Sequence, residues 1–227
     1  MYELYIANKN YSSWSLRPWV LMRETGIEFA EQLTPFGDAS RWEAFRKISP
    51  SGKVPCLLDG GTVVWDSLAI TEYLAERHAQ VWPRDALARA FARSAAAEMH
   101  SGFTELRTRC SMSCGIRARL KESPPALERE LARLDTLFND GLKRFGGPFL
   151  AGKQFTAVDA FFAPVAFRVQ SYGLELGSAS AGYLARLLGL PAMKAWYAAG
   201  IAETFRDLPH EEEIAQLASV TQDLRAR

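Results

Sequence analysis

A chain of 227 residues can bury a substantial core, and one large or two small domains are equally admissible at that length. Hydrophobic residues make up 48% and charged residues 23%, with a formal net charge of +1, a balance that gives no electrostatic reason to expect nucleic acid or a membrane surface as partner. No stretch approaches the roughly 18 uninterrupted apolar residues of a membrane span and no basic, apolar and cleavage pattern opens the chain, so a cytoplasmic location is expected.

Residues 2 to 7, Tyr-Glu-Leu-Tyr-Ile-Ala, suit a first strand. After the loop Asn8 to Ser13, apolar positions at Leu16, Trp19, Val20 and Met22 with Gly26 beyond them predict a helix over Trp14–Glu24, and Pro18 falls near its first turn, where a missing N–H costs little. Ile27–Leu33 reads as a second strand, Pro35 to Asp38 breaks it, and a short helical stretch is expected over Ser40–Ile48. Val54-Pro55, the apolar run Cys56–Leu58, the turn Asp59-Gly60-Gly61 and the β-rich Thr62–Trp65 form a hairpin signal. A proline that opens a strand gives nothing to the ladder, and a cis peptide there leaves the Val54 N–H and C=O open to an extended peptide. Asp66-Ser67 then opens a helix reaching about Arg77, whose free N–H groups suit a carboxylate. The order β-α-β-α-β-β-α is that of an α/β thioredoxin-like domain, with a parallel component and an antiparallel edge.

His78 to Asp85 lacks periodicity and contains Pro83, which divides the chain into a first domain at 1–78, a linker at 79–85 and a second domain at 86–227. The second is expected to be all-α. A long helix runs from Ala86 to about Ser111 with Asp85 as N-cap, and Ser123-Pro124 starts another whose apolar stripe, Leu127 to Leu142, ends at Gly146-Gly147. Thr156 and Asp159 make a capping box for a helix over Ala157–Tyr172 that is apolar nearly all round and belongs in the core. Shorter helices follow at Tyr183–Leu188 and Pro191–Ile201, and a last one over Glu211–Leu224. Three cysteines, Cys56, Cys110 and Cys114, fit reduced thiols rather than a disulfide framework, and three histidines without paired spacing offer no metal site.

Four features stand in order across nearly the whole chain: Tyr11-Ser-Ser-Trp-Ser-Leu-Arg17 after the first strand, Val54-Pro55, Asp66-Ser67, and the Thr156–Asp159 box. Together they resemble the soluble glutathione transferases of serine type, nearest to zeta- and theta-like bacterial members. The resemblance implies a glutathione-binding thioredoxin-like domain, a helical domain that contributes the electrophile site, and a homodimer with a detoxification role. It implies glutathione as co-substrate, with a cis Val54-Pro55 peptide and Val54 pairing with the cysteinyl backbone. By the same likeness Ser67 and the helix N–H groups take the γ-glutamyl carboxylate and Asp66 the ammonium. The glycyl carboxylate meets a basic side chain, for which Lys53, Arg41 and Arg46 are candidates and Lys53 is favoured by its place beside Val54. The thiolate needs a hydroxyl: the zeta-like pattern Ser-Ser-x-Ser-x-Arg selects Ser12, which is preferred, theta-like spacing to the arginine selects Ser13, and Tyr11 is an adjacent rival. The electrophile pocket is expected to draw on Trp14, Phe36, His100, Phe103, Arg107 and Phe167.

The implied activity is addition of the glutathione thiolate to small hydrophobic electrophiles. Its alternatives are a binding protein for glutathione or apolar ligands without turnover, and a maleylacetoacetate-type isomerase. Trp14 stands where the zeta-like motif has cysteine, which disfavours disulfide exchange. Ser171 stands where the isomerase has an arginine, with Arg168 one turn away, and this counts against isomerisation.

Overall fold

The computed structural model of the chain describes residues 1–37, 43 and 45–226. Of the helical stretch expected over Ser40–Ile48, residues 40–42 and 44 lie outside the described residues, and Arg41 with them.

Four strands form one sheet in the order β2-β1-β3-β4, from β1 (Tyr2–Ile6), β2 (Phe29–Leu33), β3 (Cys56–Asp59) and β4 (Thr62–Val64). β1 and β2 pair in parallel, Leu4 opposite Glu31, because α1 (Ser13–Thr25) crosses between them. β3 runs antiparallel to β1, Tyr5 opposite Cys56, and returns as β4 through Gly60, whose φ of 59° suits a residue without Cβ. α1 stops at Gly26, also left-handed, whose N–H reaches the Met22 carbonyl. α2 (Ser67–Ala75) packs on α1 and closes the α/β part, a thioredoxin-like arrangement.

The remainder is helical: α3 (Ala86–Ser101), α4 (Thr104–Arg109), α5 (Pro125–Phe145), α6 (Ala157–Tyr172), α7 (Ser178–Gly189), α8 (Pro191–Ala202) and α9 (Leu208–Leu217). α6 is buried along nearly its whole length and packs on α1, α3 and α7, so one apolar core joins the sheet layer to the helices. At its head the fully buried Asp159 accepts from the Thr156 N–H (2.9 Å), the Leu150 N–H (3.1 Å) and the Tyr183 hydroxyl (3.0 Å). Burial raises its pKa to about 6.

Three local expectations are corrected. The helix expected from Ala86 to Ser111 breaks at Gly102 and Phe103, the latter at φ 52°. The break is held because the Glu130 carboxylate, reaching over from α5, takes the N–H groups of Glu105 and Leu106 at the head of α4. α5 begins one residue later than expected, with Pro124 as N-cap and Pro125 as its first residue, while the Ser123 hydroxyl goes to Glu128. The last helix ends at Leu217 instead of Leu224, and β6 (Ala218–Asp223) pairs antiparallel with β5 (Ile116–Leu120), adding a two-stranded ribbon to the helical domain. The alternation Ile116, Ala118, Leu120 against Arg117 and Arg119 is the sequence signal for that ribbon.

Candidate active site

The loop between β1 and α1 is fixed from several sides. The Asn8 carbonyl accepts from Tyr11 (3.1 Å) and Ser12 (2.9 Å), its side-chain oxygen takes the Phe36 N–H (2.8 Å), and the Asn10 amide bridges Ser113 (3.1 Å) and Gly115 (3.0 Å). This leaves the serines little freedom of position. Ser12 caps α1 and is 4% exposed; its hydroxyl donates to Ser15 Oγ (2.7 Å), which also accepts from the Ala7 N–H (3.1 Å). Ser13 is more open, and its Oγ accepts from Arg168 Nη2 (3.3 Å). The Tyr11 hydroxyl donates to Glu211 (2.7 Å) and accepts from Arg225 (3.1 Å), and burial raises its pKa to about 12.

Both serines line a cavity of about 630 Å³ together with Tyr11, Trp14, Phe36, Lys53, Val54, Arg107, Arg168 and residues of α9. A second hollow of about 360 Å³ shares Trp14, Lys53 and Val54 with it and continues past Pro55 and Trp65 to Asp66. Val54 therefore stands where the two meet. The Val54-Pro55 peptide is cis, and among the described residues the Val54 N–H and C=O have no hydrogen-bond partner. Lys53 lies beside it on the cavity wall, whereas Arg46 packs against Gly52 away from the lining.

Asp66 is the N-cap of α2: its Oδ1 accepts from Leu68 (2.9 Å) and Ala69 (3.3 Å), and its Oδ2 lies 3.1 Å from His100 Nε2 on α3. The Ser67 hydroxyl beside it is buried and has no partner among the described residues. Burial lowers the pKa of His100, which stands edge-on to Trp14.

Three guanidinium groups gather behind this surface. Arg17 is 2% exposed, lies 4.1 Å from the Trp14 ring and 5.0 Å from the Phe161 ring, and among the described residues leaves Nε and Nη1 without partners. Burial first, then Arg107 and Arg168, lower its pKa to about 9. Arg168 is held by the carbonyls of Arg107 (3.2 Å) and Cys110, and burial lowers its pKa to about 10. Arg107 lies 5.1 Å from Trp14 and donates to the His100 carbonyl (3.2 Å). Among the described residues none of the three forms an ion pair; Asp66 acts on Arg17 only through space.

Of the residues expected at the electrophile, Trp14, Phe36 and Arg107 line the cavity. Phe103 and Phe167 do not: Phe103 is buried at the helix break and Phe167 stacks on Tyr197, while His100 faces Asp66 instead. The three thiols are buried and free, with Cys110, at the end of α4, raised to about 12 by burial. The wall formed by His210, Glu213, Gln216 and Leu217 was not expected, because a late helix shows nothing local that aims it at a loop two hundred residues earlier.

A family model described as the N-terminal domain of glutathione S-transferase matches residues 11–77, and one described as the C-terminal domain matches residues 84–199. A probable maleylacetoacetate isomerase from Caenorhabditis elegans is 24% identical over 76% of this chain and 81% of its own. A zeta-class glutathione S-transferase from Euphorbia esula is 27% identical over 67% of this chain and 70% of its own. Among solved structures, a theta-class glutathione S-transferase from Xanthomonas axonopodis with glutathione bound superposes with a TM-score of 0.62 at 22% identity, covering 86% of this chain and 96% of that one. Matched in both halves, the chain belongs to the glutathione S-transferase family, enzymes for which glutathione is co-substrate.

Proposed function

We propose that this glutathione transferase joins the glutathione thiolate to a small, largely apolar electrophile in the 630 Å³ cavity, with a serine hydroxyl holding the thiolate. The observation that carries the reading is that the unpaired Val54 backbone and both serines at the head of α1 line one cavity. An extended cysteinyl unit pairing with Val54 would bring its sulfur toward α1. The γ-glutamyl end then runs through the second hollow to the α2 N-terminus, where Ser67 has a free hydroxyl and Asp66 a carboxylate for the ammonium. The glycyl carboxylate meets Lys53.

Ser13 is the better donor of the two. The Ser12 hydroxyl is engaged with Ser15, whereas Ser13 accepts from Arg168 and keeps its own proton for the sulfur. Lowering a thiol pKa by about two units takes about 2.7 kcal/mol. One charge-assisted hydrogen bond of roughly 1.5–3 kcal/mol with the positive end of α1 supplies it. Conjugation of an aryl halide tests this. Ser13→Ala should lose about 100-fold in kcat/KM, and Ser12→Ala should chiefly cost about 1 kcal/mol of stability through the lost cap. The reverse pattern would return the role to Ser12; binding of glutathione with no turnover of any electrophile would support the binding-protein reading.

A second reading, glutathione-dependent isomerisation of a carboxylate-bearing alkene, is favoured by Arg168, which lines the cavity although Ser171 stands at the place first compared. Isomerisation of a maleyl-type acid that is lost in Arg168→Met would support it. The family likeness also suggests a homodimer, and the half-exposed Trp65 suits an apolar contact surface.

A further inference from the structure

His210 is the third residue of α9 and lines the same cavity as Ser12, Ser13 and Val54. Its Nδ1 meets the Asp207 carboxylate just before the helix, and its ring packs against Tyr11 (centroids 5.4 Å apart) and Phe36 (5.6 Å). Both aromatic neighbours are tied to the loop that delivers the serines: Tyr11 lies in it, and the Phe36 N–H, like the Tyr11 N–H, ends on Asn8. The imidazole is thus not a loose surface group. With Nδ1 engaged, Nε2 is its one polar atom without a hydrogen-bond partner among the described residues, and the side chain is 29% exposed on the cavity wall.

Such a pair has a definite chemistry. A carboxylate on Nδ1 fixes the neutral tautomer with its lone pair on Nε2, open to a proton from the cavity. Glutathione reaches the site as a thiol, and the proton it releases needs an acceptor. Neither serine is one: Ser12 is a donor to Ser15, and Ser13 is itself addressed by Arg168.

We propose that His210, oriented by Asp207, is the acid–base group of this site. The inference rests on the conjugation reading above. Nε2 takes the thiol proton, leaving thiolate and imidazolium. In addition to an activated alkene, the sulfur pair forms the S–C bond, the π pair moves to the neighbouring carbon, and that carbon takes the proton back from Nε2, restoring neutral histidine. The charged and titratable groups around it are Asp207, Glu211 and Glu213 on or beside α9, Tyr11 on the loop, Arg225 and Asp223 behind Tyr11, and Lys53, Arg107 and Arg168 across the cavity.

The experiment follows the ultraviolet thiolate band of the binary glutathione complex against pH, with no electrophile present, beside kcat/KM for an activated alkene. Gln can keep a bond to Asp207 but cannot carry the proton. In His210→Gln the thiolate titration should move upward by about one unit, and kcat/KM should fall by 10²–10³-fold, with activity partly restored to His210→Ala by added imidazole. Asp207→Asn should give a smaller fall in kcat/KM with glutathione affinity kept, a check that does not depend on how the histidine variants fold. Glutathione bound with an unmoved thiolate titration and a fall in kcat/KM under threefold would overturn the histidine's role alone. Failure of the wild type to bind glutathione would overturn the conjugation reading itself.

Discussion

Arg17 holds a charge where the fold gains least from one. Among the described residues its Nε and Nη1 are buried without partners and no carboxylate forms an ion pair with it, so its guanidinium is a cost to folding. Replacement by an apolar side chain of similar length should relieve that cost. Arg17→Met is expected to leave the urea midpoint unchanged or raise it, while glutathione binding weakens about tenfold because an anionic tripeptide loses one of the cleft's positive charges; denaturation and calorimetry on the same preparation read the two effects. A fall in stability would mean that the charge is structural. This arginine was legible in the sequence as the end of the serine motif, and Arg168 as the one basic residue in an apolar helix, but their convergence was not. Spacing shows which residues share an element, whereas the meeting of α1 with α6 depends on packing across 150 residues.

Elements whose ends are fixed by local chemistry were the ones readable in advance. Gly26 stops α1, Gly146 stops α5, and Thr156 with Asp159 starts α6, each through bonds to residues within four positions. The break at Gly102 was hidden because Glu130, which caps α4, lies on another helix, and although β5 alternates as a strand does, its partner was hidden because Ile116 pairs with Asp223. Asp159 gathers three donors from three places, so Asp159→Ala should cost about 3 kcal/mol in urea denaturation by leaving them buried and unpaired. The tail makes a prediction with pH. Burial raises the pKa of Glu211, but bonds from Arg225 and Tyr11 outweigh it and hold the carboxyl low, and Arg225 lowers Asp223 as well. Carboxyl groups lowered in the folded state stabilise it above their unfolded values and lose that contribution as pH falls through the lowered ones. Hydrogen exchange in β6 should therefore quicken on acidification below about pH 4, and Arg225→Ala should show the same opening at neutral pH.

Across the whole molecule, the sheet and the helices share one core through α6, and the cavity lies where loop, hairpin and tail converge outside it. Stability and catalysis are therefore separable by substitution. Gel filtration with light scattering should give twice the mass of one chain if the proposed dimer forms, and Trp65→Glu should shift that mass toward the monomer while leaving the far-ultraviolet dichroism unchanged. The contact between Tyr11 and Arg225 spans 214 positions of sequence, farther than any strand pairing in the four-stranded sheet. A contact between such distant segments forms slowly, because the intervening chain must first be ordered. Refolding from urea should thus show two clocks: core tryptophan fluorescence recovers first, and catalytic competence follows only when the last strand has closed over the loop it secures.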